Sequence, residues 1–186
     1  MNRIILILAL LLLNVAANAQ DYQAYRLYEL NGPVKQVSIK TEDPFYTLSK
    51  KVDFSVNGMQ KFASWVYDEN GWPIGEGFCG GSTFWNTTVV LDSHHRPVSI
   101  LRTMNGDKKC PIINMNTKFF FDANGNVAKK EVSYKDTTTT YIFEYSNYIL
   151  DEKGNWIQRS VTMSQIEAEN RSKNKSFTET RTIKYW

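Results

Sequence analysis

Two patterns of hydrophobic and polar positions divide this chain. From Ile4 to Leu13 the residues are apolar without interruption. Beyond Gln20 short stretches alternate instead. Tyr141, Phe143 and Tyr145 interleave with Ile142 and Glu144, and Phe177, Ile183 and Tyr185 stand out of phase with Thr178, Thr180 and Thr182. Ile157, Val161 and Met163 fall at even spacing, and Val34 to Ile39 is mixed but rich in β-formers. A period of two in Thr, Val, Tyr and Phe predicts strands with one buried and one wet face. Outside the apolar N-terminus, only Ser164–Glu169 reads as a short helical turn.

Turn signals punctuate these strands. Tyr67-Asp68-Glu69-Asn70-Gly71, Leu91-Asp92-Ser93-His94-His95, Phe121-Asp122-Ala123-Asn124-Gly125 and Leu150-Asp151-Glu152-Lys153-Gly154 share one form. Asp at the first position of a type I turn accepts backbone N–H groups further on, and the fourth position takes a positive φ that Gly adopts at least cost. His95 breaks the Gly rule, but His is among the residues enriched at positive φ. Asn57-Gly58 reads as a separate two-residue hairpin turn. The expectation is an all-β fold, an antiparallel meander of about ten strands that twist curls into an open sheet or half-barrel. The last strand sets Glu179 and Arg181 on an otherwise apolar face, a pattern that blunts an exposed edge.

The units at Tyr67–Gly71, Phe121–Asn126 and Leu150–Trp156 resemble YD (RHS-like) repeats. With the opening Leu30-Asn31-Gly32-Pro33-Val34-Lys35-Gln36-Val37, the chain from about residue 30 to 163 is similar to small exported YD-repeat proteins of the Bacteroidales type. The resemblance implies a β-repeat scaffold and transfers no catalytic residue.

The apolar N-terminus reads as an export signal. Arg3 precedes the run, and small residues follow it to Ala17-Asn18-Ala19, an A-x-A cleavage site. The run is far shorter than the roughly 20 residues a spanning helix needs. Residues 1–19 are therefore read as a signal peptide and 20–186 as one β-hairpin-repeat domain, periplasmic or secreted and without a membrane span. The net charge is +3, one unit of it from Arg3, and basic and acidic residues are interspersed. Nucleic-acid binders concentrate basic residues on one face, so that partner class is set aside.

Candidate chemistry is sparse. A Cys79–His95 dyad fails on distance, because the strand Thr83 to Leu91 would hold the two roughly 30 Å apart. His94 and His95 are neighbours in one turn with no third ligand signalled, so no metal is expected. The turn aspartates of adjacent hairpins would lie about 9–10 Å apart, too far to share a calcium ion. No cofactor is implied. Trp72, Trp85 and Trp156 are the candidate ligand-binding residues, because Trp72 and Trp156 follow turn glycines where a ring can lie open to a sugar or protein. The reading is a non-enzymatic exported binding or structural module, contacting a protein or glycan through its sheet face or turn edge. Two alternatives stay open: an assembly partner pairing through an open sheet edge, and a small hydrolase with a carboxylate pair not visible in sequence.

Cys79 and Cys110 are expected to form a disulfide. Paired cysteines prevail in exported chains, and a meander places their two connections side by side. Intact mass of the exported protein should show a chain starting at Gln20, with thiols that alkylate only after reduction. Retained Arg3, or two thiols alkylated without reductant, would refute these readings.

Overall fold

A computed structural model describes residues 23–43, 46–61, 65–78, 83–104, 114–135, 137, 139–167 and 170–186. Cys79, Cys110 and the expected cleavage site lie outside them.

A 3₁₀ turn, Ala24–Tyr28, opens the described chain. Eleven strands follow: β1 (Val34–Asp43), β2 (Tyr46–Asp53), β3 (Trp65–Tyr67), β4 (Pro73–Phe78), β5 (Thr83–Leu91), β6 (Pro97–Met104), β7 (Asn114–Phe121), β8 (Val127–Tyr134), β9 (Thr140–Leu150), β10 (Trp156–Glu167) and β11 (Asn170–Tyr185). They form one antiparallel sheet in the order β2-β1-β11-β10-β9-β8-β7-β6-β5-β4-β3. The chain is all-β, as the alternation predicted. From β3 to β11 it is a meander.

Three local expectations are corrected. β11 is not an edge, because β1 pairs along it from Val34–Tyr185 to Glu42–Thr178. Glu179 and Arg181 therefore stand inside the sheet, and the edges are β2 and β3. The Ser164–Glu169 helical turn is strand through Glu167, because Ser164 to Ile166 pair with Ile142 to Thr140 of β9. Asn57-Gly58 is not a two-residue turn. Gly58 N–H donates to the Ser55 carbonyl and Ser55 N–H to the Met59 carbonyl, so this turn follows the same plan as the aspartate turns, with Ser55 in the Asp place.

The aspartate turns are near-identical. In each, one carboxylate oxygen accepts the N–H groups two and four residues on, as from Asn70 and Trp72 to Asp68 and from Lys153 and Asn155 to Asp151. The fourth residue then takes a positive φ: 78° at Gly71, 56° at His95, 84° at Gly125 and 76° at Gly154. The turn hydrogen bonds to Arg96, together with its guanidinium, hold the Asp92 carboxyl below its ordinary pKa. A meander puts all four turns at one end of the sheet.

The sheet is strongly curled. Laid flat, eleven strands at the usual spacing would separate β2 from β3 by roughly 48 Å. Yet Gln60 bridges to Phe54 at the end of β2, and Lys61 N–H donates to the Asp53 carbonyl, only four residues before β3 begins. Tyr67 of β3 also packs against the core cluster of Ala24, Leu30, Val34, Val37, Val52 and Phe54 at the opposite edge. The two edges thus approach at the turn end, so the sheet is curled and stays open between β2 and β3, within the expected open sheet or half-barrel. A second cluster, Val127, Tyr145 and Val161 with Phe119, Phe143 and Phe177 against it, lines the inner face of the long strands.

The outer face is wet. Lys118 opposes Glu131, Lys129 opposes Glu144, and Lys129 Nζ contacts Glu131 at 2.9 Å. Among the described residues no helix is long and apolar enough to cross a membrane.

Gly125 and Gly154 share the left-handed backbone but differ in surroundings. A Cβ at Gly154 meets nothing within 4 Å, whereas one at Gly125 lies 3.2 Å from Arg96 Nη1. Gly154→Ala should cost about 1–2 kcal/mol, the left-handed penalty alone. Gly125→Ala should cost more, because Arg96 must also shift. Urea denaturation of the two variants checks the order.

Candidate functional site

The segment Gln23–Asn31 lies across the turn end, and its backbone touches hairpins from both sides of the sheet. Gln23 N–H donates to the Gly71 carbonyl at 2.8 Å. Arg26 Nη1 donates to the His95 carbonyl at 3.2 Å. Tyr28 OH donates to Gln60 Oε1 at 2.9 Å, and its ring meets Phe54 edge-on. Asn31 N–H donates to Asn155 Oδ1 at 2.6 Å, and Asn155 Nδ2 donates back to the Asn31 carbonyl at 3.0 Å. Asn155 Nδ2 also reaches Tyr185 OH, which bonds to the Asp151 carboxylate.

Beneath this segment sits a network of charges. The 3₁₀ turn ends on Glu29 in the left-handed region, φ 55°, with its N–H on the Arg26 carbonyl. Non-glycine residues rarely adopt this conformation, and they hold it where surrounding contacts over-determine it. Glu29 Oε2 accepts from Arg159 Nη1 at 2.6 Å and from Trp156 Nε1 at 2.9 Å, and Arg181 Nη2 stands 3.6 Å away. Arg159 Nε and Nη2 also hold Glu179 Oε2 at 2.8 and 2.7 Å. Arg181 Nη1 donates to the Tyr28 and Glu29 carbonyls. Both guanidinium groups lie over the Trp156 ring, Arg159 at 3.9 Å and Arg181 at 3.2 Å from its centroid. The other side of Arg159 faces the Tyr145 ring at 3.8 Å.

The strands place these groups. A register shift between Trp156 and Gln158, and another before Ser160, lets Trp156, Arg159 and Val161 all be buried despite their uneven spacing. Cross-strand pairing then sets Arg159 opposite Glu179 and Arg181 opposite Ile39.

Burial opposes ionisation of Glu29, but Arg159 and Arg181 outweigh it and hold its pKa below the ordinary 4.5. Burial also opposes the charge on Arg159, which Glu29 and Glu179 more than restore. Burial pulls Arg181 down to about 9, which leaves it charged at neutral pH. Burial lowers Lys130, whose Nζ lies 4.5 Å from the Phe143 ring centroid. Tyr148 is pushed up to about 12 by burial, with its hydroxyl donating to the Val127 carbonyl at 2.6 Å. Glu29 is thus held ionised by guanidinium partners, and Glu179 shares Arg159 with it, whereas an acid–base pair requires environments that drive two pKa values apart.

Two hollows open at the turn end. One, of about 110 Å³, lies between the 3₁₀ segment and β6 to β10. Leu27, Leu30, Ile100, Phe119, Phe121 and Trp156 form its apolar wall. Arg26 and Arg96 stand at its border. The other, of about 580 Å³, lies between the β3–β4 turn and β5, where β4–β5 pairing stops at Gly75–Asn86 although β5 runs on to Leu91. Trp72 and Thr87 line it, and the buried Thr87 hydroxyl has no hydrogen-bond partner among the described residues.

The tryptophans anticipated as exposed are therefore buried: Trp72 is 9% and Trp156 5% accessible. Trp72 directly follows Gly71 and Trp156 stands two residues after Gly154, and both side chains turn inward. Each ring still borders a hollow. Trp85 pairs with Glu76 and Met104, and its side chain lies outside the described part. His94 and His95 sit in an exposed turn, and among the described residues no three His, Cys, Asp or Glu side chains are grouped to hold a metal. Sequence reasoning missed Glu29, Lys130 and Arg159. The available signal was a charge in phase with apolar neighbours, as in Arg159-x-Val161 and Lys130-x-Val132.

No family model matches the chain, and no curated protein does. Among solved structures, a porin-like protein from Bacteroides uniformis ATCC 8492 is similar over 90% of this chain and 100% of its own, with 8% identity and a TM-score of 0.47.

Because Glu29 is held below its ordinary pKa, the stability it contributes is fully present above 4.5 and is lost as pH falls through the folded value. Glu29→Gln should cost about 3 kcal/mol at neutral pH, as breaking a buried ion pair does. It should also remove one component of acid destabilisation below pH 4.5. Urea midpoints of both proteins from pH 3 to 7 test this; parallel pH profiles would contradict it.

Proposed function

We propose that the chain is an exported, non-enzymatic binding module that holds a protein or glycan at its turn end, on a scaffold of YD-like hairpin repeats. The hollow beneath the 3₁₀ segment carries this reading. It is apolar within, cationic at the border and built from five strands plus the N-terminal segment, the form expected of a ligand seat. The outward sheet face favours the turn end as the seat, because Lys118, Lys129, Glu131 and Glu144 make it charged and Lys129 Nζ lies 4.0 Å from the ring centroid of Phe120, the exposed aromatic among them. The hydrolase alternative is disfavoured by the pairing of Glu29 and Glu179 with Arg159. Assembly through an edge has one observation behind it: Leu48 on edge strand β2 is 60% exposed. Lys50 and Lys51 on the same strand are the charges that discourage edge pairing.

The test is a glycan array and a pull-down with residues 20–186 as wild type, Leu27→Trp and Ser49→Pro. Leu27→Trp fills the hollow and should abolish binding, whereas Ser49→Pro, which blocks the β2 edge, should leave it intact. The opposite pattern would favour edge assembly.

A further inference from the structure

Resting on the hollow as the binding seat, we infer that its ligand is an apolar group bearing a carboxylate, with the apolar part among Leu27, Ile100, Phe119, Phe121 and Trp156 and the carboxylate on Arg26. The inference starts from size. A hollow of about 110 Å³ with aromatic and aliphatic walls is on the scale of one ring or a short branched chain, since a dry cavity of roughly 150 Å³ takes up benzene.

Charge supplies the second part. Of the cations at the hollow, Arg96 is already engaged. Its Nε and Nη2 hold Asp92 Oδ2, each at 2.8 Å, and its guanidinium lies 4.1 Å from the Phe121 ring centroid. Arg26 differs. Its Nη1 donates to the His95 carbonyl, its Nε is buried with no hydrogen-bond partner, and among the described residues no carboxylate pairs with it. The edge of its guanidinium left without a partner among the described residues is thus the Nε–Nη2 side, which matches the two oxygens of a carboxylate. The one carboxylate lining the hollow, Glu29, is neutralised by Arg159 and Arg181 and does not repel a second anion.

Two sources present this chemistry: a free aryl or alkyl carboxylic acid, and the C-terminal residue of a peptide. Calorimetric titration of the full exported chain with phenylacetate, 2-phenylethylamine and Gly-Gly-Phe, free or amidated at its C-terminus, separates them. Phenylacetate should bind, the amine should not, and Leu27→Trp should remove binding. Arg26→Gln should weaken it about 10- to 100-fold, the loss of the charge-assisted contact to the carboxylate. Arg26 contacts one exposed turn carbonyl, so this variant folds even where Leu27→Trp does not. Tighter binding of the free-acid peptide than of phenylacetate identifies a chain terminus, and weaker binding a free acid. Equal binding of amine and acid, or an Arg26→Gln protein that binds phenylacetate as well as wild type, overturns the carboxylate inference. If no probe binds while Leu27→Trp still abolishes partner binding, the inference falls and the seat stands. If Leu27→Trp changes neither, both fall.

Discussion

The contact between Glu29 and Arg159 decides how this sheet is organised. One oxygen of Glu29 gathers an arginine of β10, the indole N–H of Trp156 and the approach of an arginine of β11. All of these lie more than a hundred residues away along the chain. An ion pair taken out of water is costly unless its geometry is good and its remaining donors are met. For Arg159 they are met by a second carboxylate, Glu179, and by the Tyr148 hydroxyl; Arg181 Nη1 reaches the Tyr28 and Glu29 carbonyls, while its Nε and Nη2 make no hydrogen bond among the described residues. The network therefore fixes the N-terminal segment in one position, which a purely apolar contact would not specify.

That fixed position explains the curl of the sheet. Twist bends any large antiparallel sheet but does not say where bending stops. A segment of nine residues that must reach Gly71, His95, Phe54 and Asn155 sets the limit, because these points belong to hairpins spread across the strand order. The aspartate turns provide stiff, repeated acceptors for it. A carboxylate that binds two N–H groups of its own turn leaves the turn carbonyls at Gly71 and His95 directed to the segment.

The hairpins were legible in the sequence and the pairing between distant parts of the chain was not. Asp-x-x-Gly announces a turn through local chemistry, and even His95 obeyed the positive φ it implied. Alternation gave the strands, since a period of two needs only neighbours. The attachment of β1 beside β11 depends on pairing between opposite ends of the chain, and no local pattern encodes it. The same holds for Glu29. Residues 23–31 carry no periodicity, so nothing marked them as part of the interior. Arg181 was noticed as a charge on an apolar face, but its fully buried side chain follows from a neighbouring strand and an overlying segment that are both distant in sequence.

A segment held by ion pairs and asparagine bonds also leaves space that a packed segment would fill. Apolar cores close to crystal density because every methyl group finds partners. Charged groups instead meet at fixed distances and directions, and the volume around them is what the geometry leaves over. Leu27 and Leu30 flank Glu29, whose anchoring to Arg159 sets where the two leucines wall the hollow they share with Phe119 and Phe121. The hollow at the turn end is thus a consequence of the network rather than a separate feature. Its position beside Arg26, which has no carboxylate partner among the described residues, follows from the same constraint.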